Sequence, residues 1–181
     1  LTMFAELSDA HARATADKAS VEGLAGREGN DSAGVDHSTR KGGGPGAAIV
    51  RVVASGLCGT DYRIWTGARP VRYPRVETHE MVGHVAAVGP GVGNVRAGDK
   101  VCLYSFTGCG ECEFCRSDRD FMCIKVKSLG ERLDGTYAEY VKVVPENCFT
   151  IPSYMTFDEA AAFPLVFLTV WRMLVTNAQL Q

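Results

Sequence analysis

Short apolar runs separated by glycine and proline dominate the chain beyond its first quarter. Runs of β-branched and other apolar residues bounded by turn residues are typical of strands. They predict strands at Ala47–Val53, Val82–Val88, Lys100–Tyr104 and Tyr137–Val144. With almost no helix between them, this pattern indicates a mainly β protein built as a small, irregular barrel or sandwich.

The pattern changes near the C-terminus, where helical signals replace strand signals. Thr156 and Glu159 have the spacing of a capping box, in which each side chain accepts a hydrogen bond from a backbone amide at the start of a helix. The apolar stretch Leu165–Val175 predicts a buried helix. Because proline lacks an amide hydrogen, Pro164 is expected to separate two helical pieces. We therefore predict a helical segment over 156–181.

Residues 1–44 show neither pattern. They are rich in Ala, Gly, Ser and charged residues and lead into the run Lys41–Gly46. Such a composition offers too little apolar surface to offset the entropy lost on ordering. We expect 1–44 to be a flexible or atypical segment and 45–155 to form the folded domain.

Composition describes a soluble globular protein. The 181 residues are 46% hydrophobic and 22% charged, with a formal net charge of −2, so nothing attracts the chain to nucleic acid or anionic lipid. The longest apolar run, Ala160–Leu168, is shorter than the roughly 20 residues of a membrane helix. The N-terminus lacks a signal-peptide pattern. We expect neither a membrane nor a nucleic acid as partner.

Four of the seven cysteines lie in one short stretch. Zinc prefers four tetrahedral thiolate ligands in structural sites, and short cysteine spacings supply them from one loop. A site filled by four protein sulfurs leaves no position for water or substrate, so this metal would stabilise the fold. A disulfide or a redox Cys-x-x-Cys is the alternative, but neither accounts for all four thiols together. The predicted zinc lobe spans 108–124, with the ligands Cys109, Cys112, Cys115 and Cys123.

The same cysteines could indicate a zinc ribbon that binds nucleic acid. The lobe carries more acidic than basic side chains, which is the wrong charge for phosphates. These side chains are Glu111, Glu113, Asp118 and Asp120 against Arg116 and Arg119. The seven cysteines as a set fit a reducing compartment better than a secreted disulfide scaffold, so we expect a cytoplasmic location.

A second group of polar residues follows the first predicted strand. Cys58, Thr60 and Asp61 stand within four residues, and His79 and Glu80 come about twenty residues later. Cysteine and histidine are zinc ligands, and a catalytic zinc takes three protein ligands while one position stays open. Each segment alone is weak evidence, because a cysteine after a strand is usually a core residue. Together they form a candidate catalytic site.

These residues carry a resemblance to a known family. From Pro45 to Gln181 the chain resembles the N-terminal, GroES-like catalytic domain of the zinc-dependent medium-chain alcohol dehydrogenases. The resemblance implies a partly open β-barrel with a zinc-binding lobe and a C-terminal helical segment. It covers about three quarters of the chain and rests on ordered motifs: GLCGTD at 56–61, HEMVG at 79–83 followed by Gly89, the four-cysteine lobe, DGTYAEYV at 134–141 and EAAAFPLVFLTVWRML at 159–174.

The resemblance also implies a role for each candidate residue. Cys58 and His79 would bind a catalytic zinc, with Glu80 beside it as an alternate ligand. Thr60 would relay the alcohol proton, and Asp61 would accept a hydrogen bond from the other ring nitrogen of His79. The four lobe cysteines would bind the structural zinc.

The implied activity is the interconversion of a small-molecule alcohol and a carbonyl compound. Zinc would activate the hydroxyl, and hydride would pass to NAD or NADP held by a Rossmann-type domain. No G-x-G-x-x-G between a strand and a helix is found in the sequence. We therefore expect a fragment that leads into a missing Rossmann domain and is inactive alone. The alternative is a stand-alone, non-catalytic zinc-binding module. A homo-oligomer is compatible with either interpretation.

Two positions depart from the family pattern. The residue before His79 is usually glycine and here is Thr78. Since a β-branched residue does not easily take the backbone angles of glycine, a shifted orientation of His79 is one expectation. Leu165 stands where many relatives have a third cysteine ligand. Glu80 would then substitute, or the site would be weak or vacant.

Overall fold

The computed structural model describes residues 46–180, and its main feature is an antiparallel sheet. The expectation of flexibility over 1–44 lies outside the described residues. Five strands pair in the order β6-β1-β2-β3-β7, and β4 pairs with β5 in a small second sheet. The strands are β1 (Ala48–Gly56), β2 (Glu80–Val88), β3 (Lys100–Leu103), β4 (Phe106–Thr107), β5 (Lys127–Ser128), β6 (Tyr140–Val143) and β7 (Cys148–Thr150).

The mainly β fold predicted from the sequence is confirmed. All four predicted strands are present, as β1, β2, β3 and β6. The strands that the sequence pattern missed, β4, β5 and β7, have only two or three residues each. In the described part of the chain β6 and β7 are the edges of the main sheet, so the barrel is unclosed.

The pairing of β1 with β2 sets the geometry of the candidate site. The strands run antiparallel from Ala48 opposite Val88 to Gly56 opposite Glu80. The register shifts twice, between Ile49 and Val50 and again before Ala54. Such irregularities bend and twist a strand locally. Because the end of β1 lies opposite the start of β2, the residues that follow β1 meet those that precede β2.

The sheet separates two hydrophobic layers. Successive side chains of a strand point to opposite faces. One face carries the main core, formed by Ala48, Val50, Met81, Val85, Val95, Val101, Leu103, Leu129, Leu133, Val141, Val143 and Cys148. On the other face, Val82 packs against Ala160 and Ala161. Burial of alternate residues therefore holds the sheet in one register.

Three α-helices accompany the sheet in the described part of the chain. They are α1 (Gly59–Trp65), α2 (Glu113–Arg116) and α3 (Phe157–Trp171). Short 3-10 turns lie at Asp120–Met122 and Pro145–Asn147, and a π-helical turn, Arg172–Asn177, continues α3. α1 directly follows β1, and α2 lies within the cysteine-rich lobe.

The capping box at the start of α3 is confirmed, but the predicted break at Pro164 is wrong. The Thr156 hydroxyl accepts a hydrogen bond from the Glu159 amide at 3.3 Å, and the Glu159 carboxylate accepts one from the Thr156 amide at 2.9 Å. The helix continues through Pro164 to Trp171. Proline removes one backbone donor from a helix, and here the surrounding turns remain helical despite that loss.

The expectation that Leu165–Val175 is buried is also wrong. Only Ala160 and Ala161 of α3 are buried, while Phe167 is 56% and Trp171 is 62% exposed. The first turns of α3 pack on the sheet through these small alanines, whereas the later residues have no neighbouring layer within the described chain. The apolar composition alone therefore did not predict burial.

Together α3 and its π-helical turn are longer than the uninterrupted apolar run suggested. The stretch Phe157–Asn177 has 21 residues and is long and apolar enough to cross a membrane. Length and composition of this kind are shared by core helices of soluble proteins, so they assign no location. The feature that separates this helix from the core of the domain is its exposure.

Candidate metal centres

Cys58 and Asp61 form the N-terminal cap of α1. Cys58 is the cap residue in an extended conformation, and its Sγ accepts a hydrogen bond from the Thr60 amide at 3.1 Å. The Cys58 amide donates to Oδ2 of Asp61 at 2.9 Å. This arrangement has the geometry of a capping box with a thiol in place of a hydroxyl. The start of the helix therefore fixes both side chains.

The His79 ring lies between these two groups. Its Nε2 is 3.2 Å from Sγ of Cys58, and its Nδ1 is 3.5 Å from Oδ1 of Asp61. His79 and Asp61 are both buried. Among the described residues, Oδ1 of Asp61 has no hydrogen-bond partner within normal distance, so this buried oxygen faces the ring alone. Nε2, which faces the Cys58 sulfur, is therefore the ring nitrogen that a metal ion could bind.

Burial and charge compete at this site. Burial opposes the charged imidazolium, but Asp61 and Glu80 outweigh it and raise the pKa of His79. Burial would raise the pKa of Asp61, but the nearby His79 ring and the hydrogen bond from the Cys58 amide hold it below its ordinary value. The Asp61 carboxylate is therefore ionised near neutral pH and favours a proton on the facing nitrogen of His79.

Glu80 begins β2 opposite Gly56 and lies beside the compact group rather than within it. A Cβ added to Gly56 would lie 2.6 Å from Oε2 of Glu80, which places this carboxylate against the end of β1. Burial raises the pKa of Glu80, with a partial offset from His79. The residues whose ligand atoms lie within 4.8 Å of one another are Cys58, Asp61 and His79.

Thr60 lies in the first turn of α1 and is half-buried. Its backbone amide contacts the Cys58 sulfur, as described above. Thr60 therefore stands next to the candidate ligand, where sequence reasoning placed it, and its role as a proton relay stays a prediction. Leu165 lies in the ninth position of α3 and is half-buried.

The segment before His79 is joined by an ion pair and hydrogen bonds to the motif that begins at Asp134. Nη1 of Arg75 lies 3.1 Å from Oδ1 of Asp134, and the Val76 amide donates to the same oxygen at 3.3 Å. The Gly135 amide in turn donates to the Val76 carbonyl at 2.7 Å. The DGTY part of that motif therefore supports the site from a distance. Nothing in the pattern of the motif indicated this structural role.

Thr78 does not disrupt the pairing of His79 with Cys58. Its φ is 70°, in the left-handed region that glycine usually occupies. His79 still directs Nε2 toward the sulfur, and the Ser105 hydroxyl donates to the His79 carbonyl. Ser105 is a supporting residue that no sequence signal marks, because it lies 26 residues away in an ordinary loop.

The second candidate centre is the cysteine-rich lobe. The sulfurs of Cys109 and Cys115 are 3.9 Å apart, and ligand atoms of all four cysteines lie within 4.8 Å of one another. Tetrahedral ligands with Zn–S bonds of about 2.3 Å stand about 3.8 Å apart. The donor chemistry and the spacing both fit a zinc ion. Here the structure brings together the four residues that the sequence singled out.

Local backbone structure positions the lobe sulfurs. Cys112 caps α2 and Cys115 is buried within it, while Cys123 follows the 3-10 turn. Hydrogen bonds from the backbone of Glu111 and Cys112 lower the pKa of Cys109 to about 6. Burial raises the pKa of Cys115 to about 12. Without metal the lobe therefore holds thiols of very different acidity.

All seven cysteines lie in the described residues, and none forms a disulfide. In the lobe the four sulfurs form one group, with all ligand atoms within 4.8 Å of one another. Cys102 and Cys148 belong to neither cluster. Burial is the main cause that raises the pKa of Cys148 to about 12, as expected for a small core residue.

Comparison with known proteins identifies the family. Residues 44–153 match the alcohol dehydrogenase GroES-like domain. The chain belongs to this family. Its fold and both cysteine-containing clusters are consistent with that membership, and the resemblance inferred from the motifs is confirmed.

Individual relatives are dehydrogenases. An alcohol dehydrogenase of Geobacillus stearothermophilus is 35% identical over 138 residues, covering 74% of this chain and 41% of the relative. An L-threonine 3-dehydrogenase of Thermococcus kodakarensis is 34% identical over 123 residues, or 65% of this chain and 35% of the relative. A crystal structure of an NAD-dependent alcohol dehydrogenase superimposes with a TM-score of 0.69 at 38% identity, over 72% of this chain and 39% of that one.

These matches cover only part of each relative. The chain spans about a third to two fifths of the length of these proteins, 41% of the first relative, 35% of the second and 39% of the solved structure. Membership in an oxidoreductase family of the alcohol dehydrogenase type is therefore established for this domain. The matches favour that interpretation over a stand-alone zinc module.

Proposed function

We propose that this chain supplies the zinc-binding part of the active site of an alcohol dehydrogenase-type enzyme that interconverts a small-molecule alcohol and its carbonyl compound. The observation that carries this proposal is the contact of 3.2 Å between Nε2 of His79 and Sγ of Cys58. A thiol and an imidazole at this distance offer two ligands to one zinc ion without rearrangement of the backbone. Cys58 and the neighbouring Thr60 are half-buried, whereas His79 is buried.

The donor set fits a catalytic zinc better than a closed structural one. Cys58 and His79 are the proposed ligands, and Glu80 is the alternate ligand because Leu165 offers no donor atom. With fewer protein ligands than the lobe, this site keeps a position for substrate. Zinc bound there would lower the pKa of an alcohol hydroxyl and polarise a carbonyl group.

The neighbouring side chains orient the ligands and move the proton. Asp61 is proposed to accept from Nδ1 of His79, which would keep Nε2 unprotonated and directed at the metal position. Support for this role comes from the buried Oδ1 that faces the ring at 3.5 Å. Thr60 is proposed to receive the hydroxyl proton of the substrate and pass it toward solvent.

The cysteine-rich lobe has a different proposed role. A zinc ion held by Cys109, Cys112, Cys115 and Cys123 would stabilise the loop that carries them, because metal binding and folding are coupled in such sites. The spacing of the sulfurs supports this assignment. A closed set of four thiolates takes no part in the reaction.

The hydride acceptor is proposed to be NAD or NADP, bound by a dinucleotide-binding domain that this sequence does not include. The G-x-G-x-x-G turn that receives a pyrophosphate is absent from the 181 residues. The hydroxyl compound is a small molecule, as the names of the dehydrogenase relatives suggest. We propose the cytoplasm as the location, since the described thiols are unpaired.

Zinc stoichiometry of site variants tests the proposal. In protein refolded with excess zinc and then desalted, the wild type is expected to hold about two ions. We call the metal position at Cys58 and His79 the open site. Cys58→Ser and His79→Ala should each lose the ion of the open site and keep the lobe ion. Cys102→Ser is the matched control, because Cys102 is a half-buried thiol outside both clusters. Elemental analysis and circular dichroism give the zinc content and the fold.

The result that contradicts the proposal is a second ion retained equally in both site variants, or no second ion in the wild type at saturating zinc. Fusion of a dinucleotide-binding domain then tests the reaction itself. Zinc-dependent oxidation of an alcohol by the fused wild type, but not by fused His79→Ala, is the expected outcome.

A further inference from the structure

Three hydroxyl groups, two of them on buried threonines and one on a half-buried serine, form a triangle beside the candidate active site. Oγ of Ser55 lies 3.0 Å from Oγ1 of Thr78 and 2.8 Å from Oγ1 of Thr136, and the two threonine hydroxyls are 2.7 Å apart. Thr78 and Thr136 are fully buried. We call Ser55, Thr78 and Thr136 the hydroxyl triangle. Its members come from β1, from the loop before β2, and from the DGTY motif.

The triangle is also bonded to the start of β2. Oγ of Ser55 donates to the carbonyl oxygen of Glu80 at 2.9 Å. With the Ser55 proton used there, Ser55 can only accept from the two threonines, and each threonine hydroxyl has one proton to donate. The three hydroxyl groups therefore have three protons for the four contacts, and each hydroxyl takes part in at least one hydrogen bond. A fully satisfied polar network of this kind holds its members in one arrangement.

Thr78 needs such support because of its backbone. A β-branched residue with a φ of 70° is an unfavourable conformation that persists only where the surroundings impose it. The Thr136 amide donates to the Thr78 carbonyl at 3.1 Å. Gly135 allows this approach, since a Cβ there would stand 2.1 Å from the Thr78 carbonyl oxygen. The side chain and the backbone of Thr78 are thus both hydrogen-bonded to the DGTY motif.

The fastened residue directly precedes His79. The Thr78 conformation sets the direction in which the next side chain leaves the chain, and His79 points its Nε2 at Cys58. Glycine at position 78 would reach the same φ without strain but would have no hydroxyl to anchor. Thr78 combines the required backbone angle with a fixed attachment to two other elements.

We infer that the hydroxyl triangle is a positioning device for the open metal site: it holds the Thr78 backbone in its strained conformation and thereby aims His79 at the metal position beside Cys58. This inference rests on the proposed function, because it concerns the same metal position. Ser55, Thr78 and Thr136 are positioning residues and touch neither metal nor substrate.

A substitution that removes the Thr78 hydroxyl but keeps the shape of the side chain tests the inference. Thr78→Val keeps the β-branch, whereas Thr78→Ser keeps the hydroxyl. Removal of supporting partners of metal ligands typically costs about 10–100-fold in metal affinity. We expect Thr78→Val to lose affinity on that scale at the open site and none at the lobe, while Thr78→Ser stays close to wild type. Chelator competition with zinc measures both sites in one titration.

Thr150→Val is the matched control. Thr150 is an exposed threonine of β7, so the same substitution there should change neither affinity. A second readout uses the metal-free protein: the ring nitrogen NMR signals of His79 should shift in Thr78→Val and remain as in the wild type in Thr78→Ser. If Thr78→Val fails to fold, Ser55→Ala removes another corner of the triangle and is measured in the same way.

Two outcomes would overturn the inference. One is wild-type affinity at the open site in Thr78→Val, and the other is an equal loss at both zinc sites, which would indicate a general effect on stability. If the wild type binds no second ion, the proposed function fails, and the ring signals of metal-free His79 still decide the inference. Identical ring signals in wild type and Thr78→Val would then refute it.

Discussion

The two candidate metal centres are built in opposite ways. The lobe takes its four ligands from 15 consecutive residues, 109–123, and its local turns place the sulfurs. The open site takes Cys58 from the end of one strand and His79 from the start of another, 21 residues apart. Two of its supporting hydroxyls, on Ser55 and Thr136, are themselves 81 residues apart in sequence.

This difference fits the proposed roles of a stabilising site and a reactive one. In the lobe four thiolates would complete the coordination of a zinc ion, and the binding energy would also be folding energy. The open site has fewer donors, and its side chains are held by the sheet and by buried polar contacts that exist without metal. A reactive centre gains from such preorganisation, because its ligands do not depend on the metal for their positions.

The largest expected effect is the loss of a lobe ligand. Cys112→Ser should lose the lobe ion and unfold the lobe locally, since structural zinc sites contribute on the order of 10–16 kcal/mol in small zinc domains. Elemental analysis and proteolysis within 108–124 measure the two effects. Cys102→Ser serves as the control. Equal zinc content in wild type and Cys112→Ser would show that the lobe is not the tight site.

The second effect concerns the cofactor, which neither centre can bind. The 181-residue chain by itself should not bind NAD or NADP at submillimolar concentration and should not oxidise alcohols. Positioning of hydride donor and acceptor supplies roughly 7–11 kcal/mol in such reactions, and this sequence has no turn to hold the dinucleotide. Calorimetry with both cofactors and a zinc-loaded assay over several alcohols provide the test. Saturable binding with zinc-dependent turnover would contradict it.

The third prediction compares the two centres directly. Zinc should leave the fully loaded protein in two phases during a chelator titration, first from the open site and later from the lobe. The reason is the number of thiolates, one at Cys58 against four in the lobe. His79→Ala should abolish the early phase alone. A single phase with two equally tight ions would mean that Glu80 or another group fully replaces the missing thiolate.

The smallest expected effect is that of Asp61→Asn. Asparagine has one acceptor oxygen where aspartate has two, so if it still accepts from the Cys58 amide it turns an NH2 group toward His79 in place of an acceptor, and zinc affinity at the open site should fall about 10–100-fold. The lobe should be unaffected. Asp99→Asn is the matched control, because Asp99 also accepts a backbone amide three residues away, at 2.9 Å, outside both sites. Unchanged affinity in Asp61→Asn would remove Asp61 from the ligand-orienting role.

Strands were easier to predict than the terminal helix. The runs that became β1 and β2 are short, apolar and bounded by turn residues, and both are paired in the structure. Leu165–Val175 has the composition of a core helix but is largely exposed. Apolar composition reports a tendency to be buried, and the available neighbours decide whether burial occurs.

The candidate residues of the open site were identified by their chemistry and by family resemblance. The residues that support them were not identified from the sequence. Cys58, Asp61 and His79 meet as expected, whereas Glu80 lies against Gly56. Ser55 and Thr136 carried no recognisable signal, because a hydroxyl in a strand or loop is common. Their importance arises only from contacts across 23 and 58 residues of sequence to Thr78.

The sequence by itself determined the four-cysteine cluster, the main strands and the family. These depend on local spacing and on short periodic patterns, which are fully contained in neighbouring residues. Only the tertiary structure decided how Thr78 is accommodated, where Glu80 lies and how much of α3 is exposed. Each of these depends on which distant backbone or side chain comes within a few ångströms, and strand pairing and packing set such contacts.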